Sequence, residues 1–243
     1  MELKKTTRIE SDLIGEREIP GHILYGVQTL RGIENFPISN FHLNDYPLFI
    51  NGLAMTKWAA AVANHRLGLL TDAQKDGIVK ACKEILEGKH HEHFPVDMIQ
   101  GGAGTTTNMN ANEVICNRAL QIMGHEAGEF AHLSPNDHVN CSQSTNDAYP
   151  TAIHLGLYAT YLKFRPHLLD LIESLRAKSR EFAHVLKMGR TQLEDAVPMS
   201  LGQTFGGFAS ILQDEIKNLD FAAEEFLTVN MGATAIGTGI SSE

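Results

Sequence analysis

At 243 residues, 43% hydrophobic and 20% charged, the chain can bury a sizeable core in one large domain or two modest ones and has the composition of an ordinary soluble globular protein. Its 20 Lys and Arg stand against 29 Asp and Glu, a net charge of −9 with no basic block to track a phosphate backbone, which excludes nucleic acid as a partner. No apolar run reaches the roughly 18 residues of a membrane span, and the N-terminal stretch carries no apolar signal core, so no membrane partner and a cytoplasmic location are expected.

Residues 1–46 are interrupted by Gly15, Pro20, Gly21, Gly26, Gly32 and Pro37 and read as irregular, with room for one short strand pair. From Pro47 to about Leu67 the apolar spacing predicts a helix, stopped at Gly68. Thr71 followed by Gln74 has the pattern of a capping box, opening a second helix with Ile78, Val79, Ile85 and Leu86 on one face and Gly88 at its end. These two helices form a hairpin. A third helix starts within "TTTNMNANEVICNRALQIMG" and ends at Gly124. Two long helices follow, over about 151–185 and 201–228; Pro166 offers a kink in the first, and Phe205, Phe208, Leu212, Ile216 and Leu219 form a stripe on the second. At 1.5 Å per residue each is on the order of 40 to 50 Å long, the habit of a helix bundle whose helices need partners beyond this chain. The expected fold is all-α, with a mostly helical N-terminal domain over 1–140 and the first part of a central helix bundle over 141–243.

Cys82, Cys116 and Cys141 are widely spaced and odd in number, which fits reduced thiols; Cys141 has no legible His–Asp partnership that would make it a nucleophile. His90, His91 and His93 in "KHHEHFP" lack paired ligands from a second segment, so a solvated loop is expected there and no metal site.

Three polar turns remain: "QGGAGTTTNMNANE" at 100–113, "HVNCSQSTNDAYP" at 138–150 and "MGRTQLEDAVP" at 188–198. Each lies beside a predicted helix, where backbone N–H groups and hydroxyls can converge. The first is no P-loop, since no Lys follows its glycines. Taken singly, Thr105 or Thr107 reads best as a helix cap, and Asn146 equally well as a turn former.

Taken together, and in fixed order with "YGVQTLRGIENFPIS" and "NMGATAIGTG", these stretches resemble the aspartase/fumarase superfamily from about Ile9 onward. The wording is closer to the aspartase branch: Gly101-Gly102-Ala103-Gly104 precedes the threonines, Asp147-Ala148-Tyr149 stands where fumarases tend to read Asp-Thr-Phe, and Gln192 stands where they carry His. The resemblance implies elimination of ammonia from L-aspartate to leave fumarate, through an aci-carboxylate and without a cofactor. Thr105, Ser144 and Thr145 would then donate to the carboxylate that gains charge. Asn146 and Thr191 would contact the other carboxylate and the amino group, and Gln192 the leaving ammonia. Arg31 matches an arginine linked to substrate positioning, with a plain surface or interface charge as its rival reading, and His138 falls in a segment that forms a secondary anion site in fumarases. The resemblance also implies a homotetramer whose site draws on three subunits, and a serine loop that supplies the base, which has no counterpart before the last residues "GISSE". This chain is therefore expected to hold no catalytic base and to be inactive alone. Alternatives are a fumarate hydratase of the same superfamily and a non-catalytic helical assembly fragment.

Overall fold

A computed structural model describes residues 7–242, which group into two compact units: one formed by the residues up to 157 together with those from 229 onward, the other by residues 158–228. In the first unit, β1 (Thr7–Asp12) and β2 (Gly15–Pro20) form an antiparallel hairpin, the short strand pair expected near the N-terminus. The stretch after it is not irregular. It contains α1 (Val27–Asn35), whose N-cap residue Gly26 offers no side chain. Buried carboxylates from elsewhere do the capping: Glu113 accepts from the backbone N–H of Gly26 (2.8 Å), Gln28 (2.8 Å) and Thr29 (3.0 Å), and Glu10 accepts from Val27 N–H at 2.9 Å. Helix N-termini favour negative charge. Burial pushes the Glu113 carboxyl upward, opposed by these donors.

Helix α2 (Pro47–Arg66) and α3 (Asp72–Leu86) form the expected hairpin, with Gly68 at φ +79° between them and a complete capping box between Thr71 and Gln74. Their inner faces, including Ile50, Leu53, Ala61, Ile78, Ala81 and Ile85, pack in one core with Val114, Ile115, Ala119 and Leu120 of α4 (Thr105–Ile122). Each buried Leu or Ile contributes about 1.5 to 3 kcal/mol. Helix α4 is buried nearly all round from Thr107 to Asn117 although it holds four asparagines, which are poor helix formers. Their amides bond outward instead: Asn110 to the His93 carbonyl (2.9 Å), Asn117 to the Leu24 carbonyl (2.8 Å), and Asn108 and Asn112 to Asn140.

Helix α5 (Thr145–Glu181) starts earlier than expected and runs through Pro166 without interruption; α6 spans Leu201–Glu225. At 1.5 Å per residue they are roughly 55 and 37 Å long. Between them the third polar turn is itself a strand pair, β3 (Leu186–Thr191) with β4 (Glu194–Ser200). Gln192 (φ 51°) and Leu193 (φ 67°) make the two-residue connection, and positive φ at both is the type I′ geometry of a tight hairpin. Neither carries the Gly or Asn that would have announced it. In this second unit the helices pair antiparallel around Ile172, Ala209 and Ile216, with Arg165 holding both oxygens of Asp220 at 2.8 Å and Ser179 donating to the Gly202 carbonyl. Leu162, Phe164, Leu169, Leu171, Phe208, Ile211 and Phe221 stay exposed on them. No helix among the described residues is long and apolar enough to cross a membrane.

A Cβ at Gly26 would lie 2.5 Å from Glu10 Oε2 and 2.8 Å from Glu113 Oε1. Gly26→Ala must displace both caps, and urea unfolding is expected to show a loss of about 2 to 4 kcal/mol from the orphaned donors.

Candidate functional site

The polar groups of 138–150 are organised by a lysine that the sequence reading passed over. Lys57 is fully buried on α2, on the same face as Leu53 and Ala61. Its Nζ donates to Asn140 Oδ1 and Gln143 Oε1, both at 2.9 Å. Asn108 Nδ2 bridges Asn140 Oδ1 and Thr145 Oγ1 at 3.1 Å each, and Asn112 Nδ2 reaches Asn140 Oδ1 at 3.1 Å. Gln143 Nε2 returns to the carbonyls of Val139 and Cys141, and Asn64 also donates to the Cys141 carbonyl. Burial pulls the Lys57 ammonium down to about 7, opposed chiefly by the charge of Asp147. Burial holds the Cys82 thiol up at about 12, so it stays neutral and offers Lys57 no counter-charge near neutral pH. A lysine four residues from core positions on either side was the available signal.

This network fixes the approach to α5, where Ser144, Thr145 and Asn146 follow one another. Asp147, fully buried, accepts from Ser144 N–H (2.9 Å) and from Gly232 N–H (3.2 Å) and Thr234 N–H (2.9 Å). Asn146 is exposed and donates to the Ala235 carbonyl at 2.7 Å. With Gln100, Gly102, Gly104 and Tyr149 it lines an open groove of about 500 Å³. Gly104 sits at φ +89° at the N-cap of α4, and a Cβ there would collide with the Tyr149 ring. Only glycine allows this approach.

Thr105, the first residue of α4, is exposed and lines a separate cavity of about 820 Å³ together with Arg31, Asp12 and Met109. The Arg31 guanidinium is engaged by both oxygens of Asp12 at 2.8 Å and by the Gly15 carbonyl at 2.9 Å. That pairing raises Arg31 and lowers Asp12 from their ordinary values. The first unit thus carries Thr105 at the start of α4 and Ser144, Thr145 and Asn146 at the start of α5, two helix starts tied by the Asn108–Thr145 bond; Thr105 and Arg31 line one cavity and Asn146 another. Thr191 and Gln192 are exposed at the β3–β4 turn and belong to the second unit.

His138 Nδ1 accepts from Ser134 N–H at 2.9 Å and so clasps a local turn. The histidine tract is not a solvated loop: His93 is buried, His91 bonds the Ile85 carbonyl and His90 bonds Glu84.

Residues 15–243 match the family described as Lyase. The chain belongs to the aspartase/fumarase superfamily of lyases. It is 55% identical over 237 residues to an aspartate ammonia-lyase of Pseudomonas canavaninivorans, covering 97% of this chain and 50% of that protein. The aspartate ammonia-lyase of Escherichia coli (strain K12) is 51% identical over 241 residues, covering 99% and 50%. A Brucella melitensis structure described as fumarate lyase:delta crystallin bound to cobalt superposes with a TM-score of 0.94 at 50% identity, covering 98% of this chain and 52% of that one. A class II fumarase from Schistosoma mansoni gives 0.87 at 39% identity, covering 98% and 50%. The lyase chain described here thus spans about half the length of its curated relatives.

Removing the Lys57 ammonium tests the buried network. In the wild type the folded chain binds fewer protons than the unfolded one once pH exceeds the depressed value near 7, so stability contributed by this group rises with pH toward the ordinary lysine range. Lys57→Met is expected to orphan Gln143 Oε1 at a cost of about 1 to 3 kcal/mol and to abolish the increment between about pH 7 and 9. Urea midpoints of both proteins across that window measure it.

Proposed function

We propose that this chain carries the N-terminal share of an aspartate ammonia-lyase, a cytoplasmic carbon–nitrogen lyase that removes ammonia from L-aspartate to leave fumarate. The observation that carries the reading is the placement of neutral donors at two helix starts joined by the Asn108–Thr145 bond, Thr105 at the start of α4 and Ser144, Thr145 and Asn146 at the start of α5. Abstraction of a proton beside a carboxylate creates an aci-carboxylate dianion. An enzyme accelerates that step only by binding the extra charge more tightly than the ground state. Hydroxyls, amides and helix-start N–H groups do so without bringing a counter-charge of their own, each worth about 3 kcal/mol by comparison with an oxyanion-hole donor.

In this reading Thr105, Ser144 and Thr145 face the charge-gaining carboxylate, and Asn146 and Thr191 the other carboxylate and the amino group. Gln192 lies beside the leaving ammonia, and Arg31 orients substrate through its Asp12 pair. No residue of this chain is assigned as the proton acceptor, and no cofactor or metal takes part. The apolar side chains left exposed on α5 and α6 support assembly with further copies into a homotetramer. A fumarate hydratase is the second reading, supported by the likeness to the Schistosoma fumarase; the higher identity to ammonia-lyases, 55% against 39%, favours the first.

Ligand-dependent melting tests the proposal. L-Aspartate and fumarate are each expected to raise the melting temperature by a few degrees at saturation, and Asn146→Ala to remove most of that shift. Absence of any shift with either ligand overturns the dicarboxylate reading. A larger shift with L-malate than with L-aspartate would favour the hydratase instead.

A further inference from the structure

The connection from α4 to the turn at Pro135–Val139 gathers side chains that the lyase reading does not use. In "GHEAGEFAHL", residues 124–133, one ligand atom each from His125, Glu129 and His132 lies within 4.8 Å of the other two. The backbone that presents them is tied down along its length. His125 N–H donates to the Leu120 carbonyl (2.9 Å), Gly128 N–H to Asn117 Oδ1 (2.8 Å) and His132 N–H to the Glu129 carbonyl (3.1 Å), while the His132 carbonyl accepts from Gln74 at 3.2 Å. The two imidazoles stack at 3.9 Å with an interplanar angle of 12°, so one of them must turn out of the stack before both in-plane lone pairs can meet at one ion.

The His125–Glu129 spacing suits a metal. His125 Nδ1 and Glu129 Oε2 are 3.4 Å apart. Two ligands held at about 2.1 Å from one tetrahedral ion are separated by roughly 3.4 Å. Glu129 Oε2 also accepts from Glu126 N–H at 3.2 Å, which orients the carboxylate as a second-shell contact would. The His132 imidazole has no hydrogen-bond partner among the described residues, and its exposure leaves it free to turn out of the stack toward an ion held by His125 and Glu129.

The other compact group, His90, Glu92 and His93, fails the same examination. His93 Nδ1 accepts from Leu24 N–H, so the proton of a neutral ring sits on Nε2, the nitrogen 3.5 Å from Glu92, and leaves it no lone pair for a metal. His90 Nε2 is taken by Glu84 at 2.8 Å.

We propose that His125, Glu129 and His132 form a binding site for a divalent transition-metal ion of the zinc class, with two imidazole nitrogens, one carboxylate oxygen and a position open to water. The ion acts as a clasp on the 124–133 connection and takes no part in the lyase chemistry. Two nitrogen donors select zinc, nickel, cobalt or copper over magnesium and calcium, which want a shell of oxygens.

Titration of the untagged chain with zinc chloride in a calorimeter tests this. One equivalent is expected to bind with micromolar affinity, and cobalt(II) to give visible ligand-field bands. Exposed replacements His132→Ala and Glu129→Gln are each expected to weaken zinc at least about tenfold while far-UV dichroism and urea midpoints stay near wild type. Cys141→Ser and His90→Ala, as controls, are expected to bind as the wild type does. The proposal is overturned if the wild type takes up no zinc, if His132→Ala and Glu129→Gln bind as tightly as the wild type, or if affinity is lost in either control instead.

Discussion

The first unit is organised around a buried amine that cannot reach water. An ammonium moved out of solvent costs several kcal/mol unless its donors are met, and among the described residues Lys57 is met by the side-chain oxygens of Asn140 and Gln143. Each of those amides has further bonds to make, to α4 through Asn108 and Asn112 and to the backbone of 139–141 through Gln143. One buried amino group therefore locks α2, α4 and the approach to α5 into a single arrangement. This answers for much of the uncharged polarity of 138–150: Asn140 and Gln143 look inward at the lysine, and Ser144, Thr145 and Asn146 are left at the helix start.

Buried carboxylates act in the same way on backbone donors. Glu113 and Glu10 close the N-terminus of α1, Asp147 joins the start of α5 to Gly232 and Thr234, and Asp97 collects the N–H groups of Ile38, Ser39 and Ile99. Burial works against the Asp97 charge, but these donors outweigh it and hold its carboxyl down at about 2. Part of the chain's acidity is thus internal scaffolding, each carboxylate joining segments distant in sequence. The glycines at 26 and 104 belong to the same design, since each leaves room for a group that a side chain would displace.

The second unit is built differently. Its core is a narrow seam around Ile172, Ala209 and Ile216, stapled by the Arg165–Asp220 pair, while large apolar side chains remain on the outside of both helices. A two-helix hairpin can bury one stripe per helix and no more, so a wider apolar circumference calls for additional helices. The length and composition of α5 and α6 follow from that requirement.

Read alone, the sequence determined the helices that carry their own punctuation. The Thr71–Gln74 box and the stops at Gly68, Gly88 and Gly124 are local interactions, complete within a few residues, and they appear where expected. Long motifs in fixed order likewise made the lyase family legible. The remainder was decided by groups far apart in the chain: α1 is capped by Glu113 from α4, and the β3–β4 turn adopts positive φ without glycine. Lys57 became the hub of a polar core because its partners lie more than eighty residues away. A hydrogen bond between distant segments leaves no periodicity or spacing to read, because its geometry exists only once the chain has folded.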